Sequence, residues 1–398
     1  MQDKTFAADA RELLTANILT FWMERMADNR RGGFFGRMDG LGELDAEAPR
    51  GAILNARILW SFAAAYRVLG DPAYLEQATR ARDYILEHFI DPTYGGVYWS
   101  VTADGEPLDT KKQTYAIGFA IYGLSEYVRA TGDKLSLDAA VRLYRDLEAH
   151  AFDAQYGGYH EALTRDWQPI ADMRLSDKDE NCDKTMNTHL HVIEPYTNLY
   201  RVWPDSGLRS QIVALTDVFS TKLLNPQTHH LDLFFDTAWQ GRRNLESFGH
   251  DIEASWLLNE TCSVLADEAL TAKLAPVIDQ IALAAEEGLN PDGSMTSERW
   301  KDDGHTTTER DWWVQCECVI GEIDRAQHTT GCRSGEHFVR ARRCYDYIVD
   351  HLVDVRLGEW YWSVSPDGKP NLHDDHAGFW KCPYHNTRMC LEIIERLG

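Results

Sequence analysis

The chain has 398 residues, and its 40 Lys and Arg against 63 Asp and Glu give a formal net charge of −23. This balance argues against a protein that neutralises nucleic-acid phosphates or docks on an anionic membrane, because both need clustered positive charge. The 44 % share of hydrophobic residues is typical of globular proteins. The first twenty residues do not resemble a signal peptide, and no apolar run could span a bilayer, so we expect a cytoplasmic protein.

The eight cysteines are too sparse for a disulfide scaffold. Cys316 and Cys318 lie in a helix-like segment rich in tryptophan, and Cys390 lies in an apolar one. Free cysteine is among the most frequently buried residue types. We therefore expect reduced, mostly buried thiols.

Clusters of glycine and aromatic residues recur at nearly even spacing along the chain. Counted from one residue in each cluster, the successive steps are 62, 62, 75, 61 and 65 residues. The counted residues are Gly33, Gly95, Gly157, Asp232, Gly293 and Gly358. Six units of this even length are typical of a repeat architecture, in which each unit is one supersecondary element.

Stretches with the apolar period of an α-helix fall in pairs within these units. They predict twelve helices, at 6–27, 52–69, 74–89, 114–130, 135–149, 189–203, 208–224, 252–266, 270–287, 312–327, 336–352 and 383–397. Alternating aromatic and β-branched residues before Asp104-Gly105 and before Asp367-Gly368 predict β-hairpins after the second helix of a unit.

Twelve helices in six hairpins could form an open superhelix or a closed ring. An open solenoid usually has polar capping repeats at its ends, whereas the final stretch 380–397 is as apolar as the central ones. We therefore predict an all-α (α/α)6 barrel with short β-hairpin loops at one rim. The whole chain, 1–398, would be a single catalytic domain whose inner helices line a funnel.

Four polar and aromatic runs stand at or near the predicted starts of helices, one in each of four units. They cover residues 187–192, 248–256, 310–317 and 380–386. In a closed ring, equivalent helix starts face the same cavity, so residues from separate units could converge there. The tryptophans in these runs are suited to stacking against the C–H face of a sugar.

A metal site is one alternative explanation of the histidines in these runs. His189 and His191 form a two-His motif, and His250 precedes Glu253 by three residues, but no third ligand has a recognisable spacing. Histidines outside polar and aromatic surroundings are interpreted as surface or loop residues; they are His229, His230, His305, His328, His351 and His373.

Two alternatives belong to other classes of protein. A glycoside hydrolase needs two carboxylates across the scissile bond, and Asp251, Asp311 and Glu317 are available for that role. A non-catalytic helical scaffold would present a concave surface to a partner, which would leave the histidine-containing runs without a purpose.

Three of the runs resemble signature segments of the N-acylglucosamine 2-epimerase family, most closely those of its disaccharide-specific branch. They are Asn-Thr-His-Leu-His at 187–191, Gly-His-Asp-Ile-Glu-Ala-Ser-Trp at 249–256 and Trp-Lys-Cys-Pro-Tyr-His-Asn at 380–386. The resemblance covers nearly the whole chain. It implies an (α/α)6 isomerase that inverts C2 of the reducing-end sugar of a β-1,4-linked disaccharide, without metal or redox cofactor.

The resemblance also implies roles for individual residues. The catalytic set is His250 and His385 in the acid/base positions, Arg57 near the reacting oxygens, and His191 beside the reducing-end ring. The substrate-binding set is Tyr115, Asn187, Glu253, Trp313 and Trp380, of which the two tryptophans occupy stacking positions.

The implied chemistry agrees with these residue types. An opened aldose is acidic at C2, because its aldehyde stabilises a neighbouring carbanion, and loss of the proton leaves a cis-enediolate. Imidazoles give and take protons near neutral pH, and the fork of Arg57 would stabilise the negative oxygen. Glu253, one turn after His250, could orient that imidazole. Which histidine takes the proton first stays open.

Other members of the family share this intermediate and remain alternatives. They are mannobiose 2-epimerase, N-acylglucosamine 2-epimerase and aldose–ketose isomerase. We expect a small disaccharide as the binding partner, a monomer or a dimer, and neither nucleic-acid nor membrane partners.

Overall fold

An inner ring of helices forms the centre of the molecule in the computed structural model, which describes residues 3–176, 179–241 and 245–398. Neighbouring members contact one another around the ring, and the last contacts the first. The members are α2 (Ala52–Leu69), α4 (Thr114–Thr131), α6 (Met186–Val202), α8 (Phe248–Leu265), α10 (Trp312–His328) and α12 (Tyr384–Leu397). This closure confirms the predicted barrel over an open superhelix.

An outer layer of helices surrounds this ring, and most of its members continue into a short segment of wider or tighter turns. The layer comprises α1 (Lys4–Glu12, then Leu13–Leu19 and Trp22–Met26), α3 (Pro72–Tyr84, then Ile85–Phe89), α5 (Lys134–His150), α7 (Ser206–Val218, then Phe219–Leu223), α9 (Glu268–Ala285, then Glu286–Gly288) and α11 (Cys332–Tyr347, then Ile348–Leu352). Helix α1 packs on α12, so one hairpin of the barrel joins the two ends of the chain.

Inner and outer helices differ in how much of their surface is buried. In α2, every residue from Ala52 to Ala65 is buried, as a helix enclosed on all sides requires. Outer helices bury one face only, and α5 exposes Lys134 and Arg142 on the other. Among the described residues, no helix is both long and apolar enough to cross a bilayer.

A glycine followed by an aspartate forms the turn between inner and outer helix in two of the hairpins. Gly70 and Gly132 adopt left-handed backbone with φ of +77° and +75°, which ends α2 and α4. Asp71 and Asp133 then accept hydrogen bonds from the first backbone N–H groups of α3 and α5. Each inner helix therefore stops abruptly and its outer partner starts within a few residues.

Short antiparallel strands gather at the end of the barrel where the inner helices begin. A strand that precedes an inner helix typically pairs with one that follows the outer helix of the same hairpin. The strands are β1 (Arg37–Met38), paired with β2 (Leu44–Asp45); β3 (Arg50–Gly51), paired with β4 (Ser100–Val101), which also pairs with β5 (Pro107–Asp109); β6 (Lys112–Gln113), with β7 (Ala162–Leu163); β8 (Lys184–Thr185), with β9 (Phe234–Phe235); β10 (Leu245–Ser247), with β11 (Glu298–Trp300); and β12 (Arg310–Asp311), with β13 (Ser363–Val364). The predicted hairpin rim is thus present.

Buried ion pairs connect the loop of one hairpin to the helix start of the next. In three units, the carboxylate of an aspartate accepts hydrogen bonds from backbone N–H groups two and three residues later and also contacts a buried cation. The pairs are Asp28–Arg50 at 2.6 Å, Asp91–Lys112 at 3.0 Å and Asp153–Lys184 at 2.6 Å. Each cation stands on the strand just before an inner helix, so the pair fixes where that helix starts.

Replacing Lys184 by Met should lower the free energy of unfolding by about 3 kcal/mol, because Asp153 would be left buried without its partner. The carbonyls of Gly157 and Thr237 would also lose the ammonium that donates to them. Urea denaturation followed by circular dichroism measures the change. The control is Lys273→Met, which removes an exposed ion pair with Asp217 and should change the free energy of unfolding by less than about 0.5 kcal/mol. Equal losses of stability in the two variants would contradict the importance of the buried pair.

Candidate active site

A cavity of about 460 Å³ opens at the strand-bearing end of the barrel. Asn187 from the start of α6 and His250 from the start of α8 line it, together with Trp300 from β11. This volume is typical of a pocket that holds one small organic ligand. The helix starts of separate units therefore face one shared space, as the repeat predicted.

Three histidines at this end share one arrangement, in which a neighbouring side chain holds Nδ1. The pairs are His191–Glu194 at 2.9 Å, His250–Ser247 at 2.7 Å and His385–Glu317 at 2.7 Å. A carboxylate partner makes Nδ1 the protonated nitrogen and leaves a lone pair on Nε2. Ser247 can donate or accept, so His250 can take either tautomer. Within the described part of the chain, Nε2 of His250 and Nε2 of His385 make no hydrogen bond.

Trp313 brings the two predicted acid/base histidines to one place. Its ring centroid lies 4.8 Å from that of His250 and 5.8 Å from that of His385. The three residues come from α8, α10 and α12, which are consecutive in the inner ring. Two imidazoles that are far apart in the sequence therefore flank a single indole ring.

Burial keeps these imidazoles neutral. It lowers the pKa of His250 to about 3, with a smaller contribution from the charge of His191. The pKa of His385 is also well below its usual value, because burial and then the positive charges of Arg57 and Arg388 disfavour the imidazolium form. Both rings are therefore neutral at pH 7 and keep a lone pair on one nitrogen.

Arg388 forms the floor of the site and joins three buried carboxylates. Its Nη2 donates to Glu253 Oε1 at 2.6 Å and to Glu317 Oε1 at 2.7 Å, while its Nη1 donates to Glu194. Burial by itself would raise the pKa of Glu194, but the Arg388 charge, the charge and hydrogen bond of His191 and the hydrogen bond of Tyr384 together outweigh it, and the pKa falls to about 2. For Glu253, burial and the nearby Glu317 charge raise the pKa well above the usual range.

Arg57 is a buried guanidinium without a carboxylate partner within 4 Å in the described residues. Its Nη2 donates to Tyr115 Oη at 2.8 Å, and its Nη1 lies 3.9 Å from Cys382 Sγ. Its Cζ lies 4.2 Å from the centroid of the Phe119 ring. Its Nε has no partner among the described residues, and neither has the buried Asn187 Oδ1. Buried polar atoms are normally satisfied, so these two atoms are suited to a bound ligand.

Aromatic rings complete the wall beside Arg57. The half-buried ring of Trp380 lies 6.0 Å from the rings of Tyr115 and of Trp99, measured between centroids. His191 packs edge-on against Tyr115 at 4.9 Å. The site thus combines flat apolar surfaces with a few fixed polar groups, as sugar recognition requires.

The structure brings the predicted residues to one end of the barrel, but two expectations about individual contacts are wrong. Glu253 does not orient His250: it binds Arg388 and comes within 4.0 Å of His191 Nε2, because the turn of α8 directs it to the ring centre. His230 is not a surface residue: it is buried against Asp251.

His189 does not form a metal motif with His191. Its Nδ1 donates to the Thr185 carbonyl, and its Nε2 accepts from the Tyr159 backbone N–H. It is therefore a satisfied core residue.

Sequence reasoning missed the charged residues that hold the site together. Glu317 was considered only as a hydrolase carboxylate, and Glu194, Arg388 and Ser247 were not considered at all. A signal was present: Glu194 follows His191 by three residues, and Arg388 follows His385 by three, within helices predicted to line the interior of the ring. Charges at helical spacing on a buried helix need partners from elsewhere in the ring.

One group of possible metal ligands falls within this site. Donor atoms of Glu253, Glu317 and His385 lie within 4.8 Å of one another. However, Arg388 already donates to both carboxylates, and His385 donates to Glu317. The guanidinium supplies the positive charge that a cation would bring, so this donor set does not fit a metal.

Fold and site together define an (α/α)6 barrel with buried imidazoles, aromatic rings and a fixed guanidinium gathered at one end, as in an enzyme that acts on sugars. The N-acylglucosamine 2-epimerase (GlcNAc 2-epimerase) family model matches residues 33–388. The chain belongs to this family, which confirms the resemblance noted in the sequence.

Similar proteins extend over the whole length of the chain. Cellobiose 2-epimerase of Bacteroides fragilis is 53 % identical over 392 residues, covering 98 % of this chain and 99 % of that protein. The enzyme of the same name from Ruminococcus albus is 40 % identical over 395 residues, covering 98 % of each chain. The solved structure of cellobiose 2-epimerase from Bacillus thermoamylovorans superposes with a TM-score of 0.93 at 40 % identity, covering 99 % of this chain and 100 % of that one.

Nuclear magnetic resonance of the imidazole nitrogens should show His250 and His385 neutral from pH 8 down to about pH 5, because burial lowers both pKa values. The exposed His305 provides a comparison signal in the same spectra. Assignment follows from the loss of one signal in His250→Asn and of another in His385→Asn. A midpoint near 6.5 for either ring would contradict the described environment.

Proposed function

We propose that the protein is a cellobiose 2-epimerase, an isomerase that inverts C2 of the reducing-end glucose in β-1,4-linked disaccharides. One observation carries this proposal: His250 and His385 flank the same Trp313 ring, and each has Nδ1 held and Nε2 free. Chain-long similarity to cellobiose 2-epimerases supports the same conclusion.

Reaction begins with ring opening, which moves the O1 proton of the sugar to its ring oxygen. A neutral imidazole can accept the proton from O1 and return it to the ring oxygen, and we assign this shuttle to His250. Ser247 suits the shuttle because its hydroxyl can donate to Nδ1 of His250 or accept from it. The opened chain then has an aldehyde beside C2.

His385 is the proposed base that removes the C2 proton. Glu317 accepts from its Nδ1–H, so the free Nε2 lone pair takes the proton and the resulting imidazolium stays next to a carboxylate. The electron pair of the C2–H bond becomes part of a cis-enediolate. Arg57 can stabilise the negative oxygen, because its guanidinium is buried without a carboxylate of its own.

Inversion requires a proton on the opposite face of C2. The negative enediolate favours the imidazolium form of His250, which we propose delivers a proton taken from water, while His385 returns its proton to water. His191 and Tyr115 border Arg57 and are suited to hold the reducing-end hydroxyl groups, together with Asn187 and Glu253. Trp313 and Trp380 are the proposed stacking surfaces.

A disaccharide rather than a monosaccharide is favoured by the residues that line the cavity. They include His250 and Asn187 at the helix starts, and also Leu175 and Trp300 of the rim strand β11. A reducing-end sugar at the histidines would leave the outer part of the cavity to the second sugar ring. Mannobiose, N-acylglucosamine and ketose-forming activities share the intermediate and are tested as alternative substrates.

A glycoside hydrolase is disfavoured by where its candidate carboxylates lie. Glu317 binds Arg388 and His385, Asp251 binds His230, and Asp311 accepts from Ser297. Each of these carboxylates is already engaged by another side chain, whereas hydrolysis needs two carboxyl groups that face the scissile bond.

The broader context is also a proposal. We infer that residues 1–398 act as a single catalytic domain, as a monomer or a dimer in the cytoplasm, with a disaccharide as the partner. The eight cysteines are all free, and all except Cys332 are buried, which is consistent with a reducing compartment.

Incubating the protein with cellobiose should produce a disaccharide with a mannose-type reducing end, visible as new anomeric signals by proton NMR. His250→Ala and His385→Ala should abolish this product while circular dichroism stays helical, because each removes one proposed proton carrier. Lactose, mannobiose, mannose and N-acetylglucosamine are assayed in parallel. Near wild-type turnover in either variant would contradict the assignment, and released glucose would favour a hydrolase.

Running the same reaction in D2O should place deuterium at C2 of the product, because the proposed proton comes from water. Mass spectrometry and loss of the C2 proton signal measure the label. Cellobiose incubated in D2O without the protein is the control for non-enzymatic exchange at C2. A product without C2 label would contradict delivery from solvent and would favour return of the original proton inside a shielded site.

A further inference from the structure

The start of α8, which carries His250, is attached to the preceding loop differently from the starts of α2, α4 and α6. Two residues before α4 and α6 stand Lys112 and Lys184, each in a buried ion pair with an aspartate of the preceding loop. The corresponding residue before α8 is Glu246, and the corresponding loop residue is Asn225. The cation that pairs with the loop before α2, α4 and α6 is therefore replaced by a carboxylate before α8.

His230 makes the equivalent connection with the two groups exchanged: the loop carries the imidazole and the helix carries the carboxylate. It lies in the preceding loop, is 1 % exposed, and its Nδ1 is 2.6 Å from Asp251 Oδ2. The other oxygen of Asp251 accepts from the backbone N–H of Leu231 at 2.9 Å. Both oxygens of a carboxylate in the first turn of α8 are thus bound by one short loop segment.

The surroundings of His230 reinforce this contact. On its other side, Nε2 lies 3.8 Å from carboxylate oxygens of Glu246 and of Glu287, and 3.4 Å from Nη2 of Arg299. Arg299 also binds Glu246 at 2.7 Å. The ring is held on both edges by charged groups, so it has little freedom to move away from Asp251.

Asp251 directly follows His250 in the chain, so its position sets that of the imidazole. We propose that His230 is a positioning residue for catalysis: by binding Asp251 it fixes the first turn of α8 and thereby the place of His250 beside Trp313. This inference rests on the proposed function only for its kinetic test. A displacement of catalytic groups by about 1 Å can reduce turnover by roughly 100-fold.

The test compares three substitutions of His230 in the full chain. His230→Asn keeps an amide N–H near the position of Nδ1, His230→Gln places it near Nε2, and His230→Leu removes both. We expect His230→Leu to lower kcat by roughly 10- to 100-fold with KM changed by less than about threefold, and His230→Asn to recover most of the loss. His230→Gln should recover less than His230→Asn.

Glu126→Gln is the matched control. Glu126 is fully buried at the other end of the barrel, where it pairs with Arg67 and Arg129. This variant should lose stability without losing kcat. If kcat in the His230 variants followed only their thermal stability, or if His230→Leu kept kcat within twofold of wild type, the proposal would be wrong. Should His230→Leu fail to fold, equal kcat in the Asn and Gln variants would overturn it.

A second measurement does not depend on the substrate. Hydrogen–deuterium exchange of the peptide covering residues 248–251 should be faster in His230→Leu than in wild type, and restored in His230→Asn. If wild-type protein converts none of the sugars, the proposed function fails and this exchange experiment still decides the inference. Unchanged exchange in His230→Leu would show that His230 does not hold the start of α8.

Discussion

The positive charge of Arg388 at the centre of the inner ring is the interaction on which the site depends. Three carboxylates from α6, α8 and α10 share it, and two of them also hold catalytic-site histidines through Nδ1. A buried carboxylate without a partner is strongly unfavourable, so the guanidinium makes this concentration of acids possible. The orientation of His191 and of His385 follows from it, because Glu194 and Glu317 are themselves fixed.

A second set of charges operates at the rim, where it places the starts of the inner helices. Buried cations before α2, α4 and α6 bind the loop of the preceding hairpin, and paired strands hold the same segments. Residues such as Tyr115 and Asn187 stand three positions after these cations. The active site is therefore assembled from helix starts that are each fixed locally, and central and peripheral ion pairs together give it a defined geometry.

Periodicity and spacing are sufficient to predict the number of helices and their pairing, and the apolar final segment, where an open solenoid would have a polar cap, predicts the closed ring. The runs around His250 and His385 were identified because polar residues at helix starts stand out in such helices. Individual contacts were not predictable: Ser247, three residues before His250, holds its imidazole in place of Glu253, three residues after it, and His230 is buried against Asp251 of the next unit. Such contacts depend on how far each helix is rotated in the ring, and a single sequence does not record that rotation.

Closure of the ring by its last helix has a consequence for protein synthesis. Helix α12 carries both His385 and Arg388, packs between α1 and α2, and leaves the Leu397 carbonyl 3.0 Å from the backbone nitrogen of Asp3. While the ribosome is still making this segment, Glu194, Glu253 and Glu317 have no guanidinium to face and must remain hydrated. The charge cluster at the centre of the ring can therefore form only after α12 has been synthesised, in one late step that joins four inner helices.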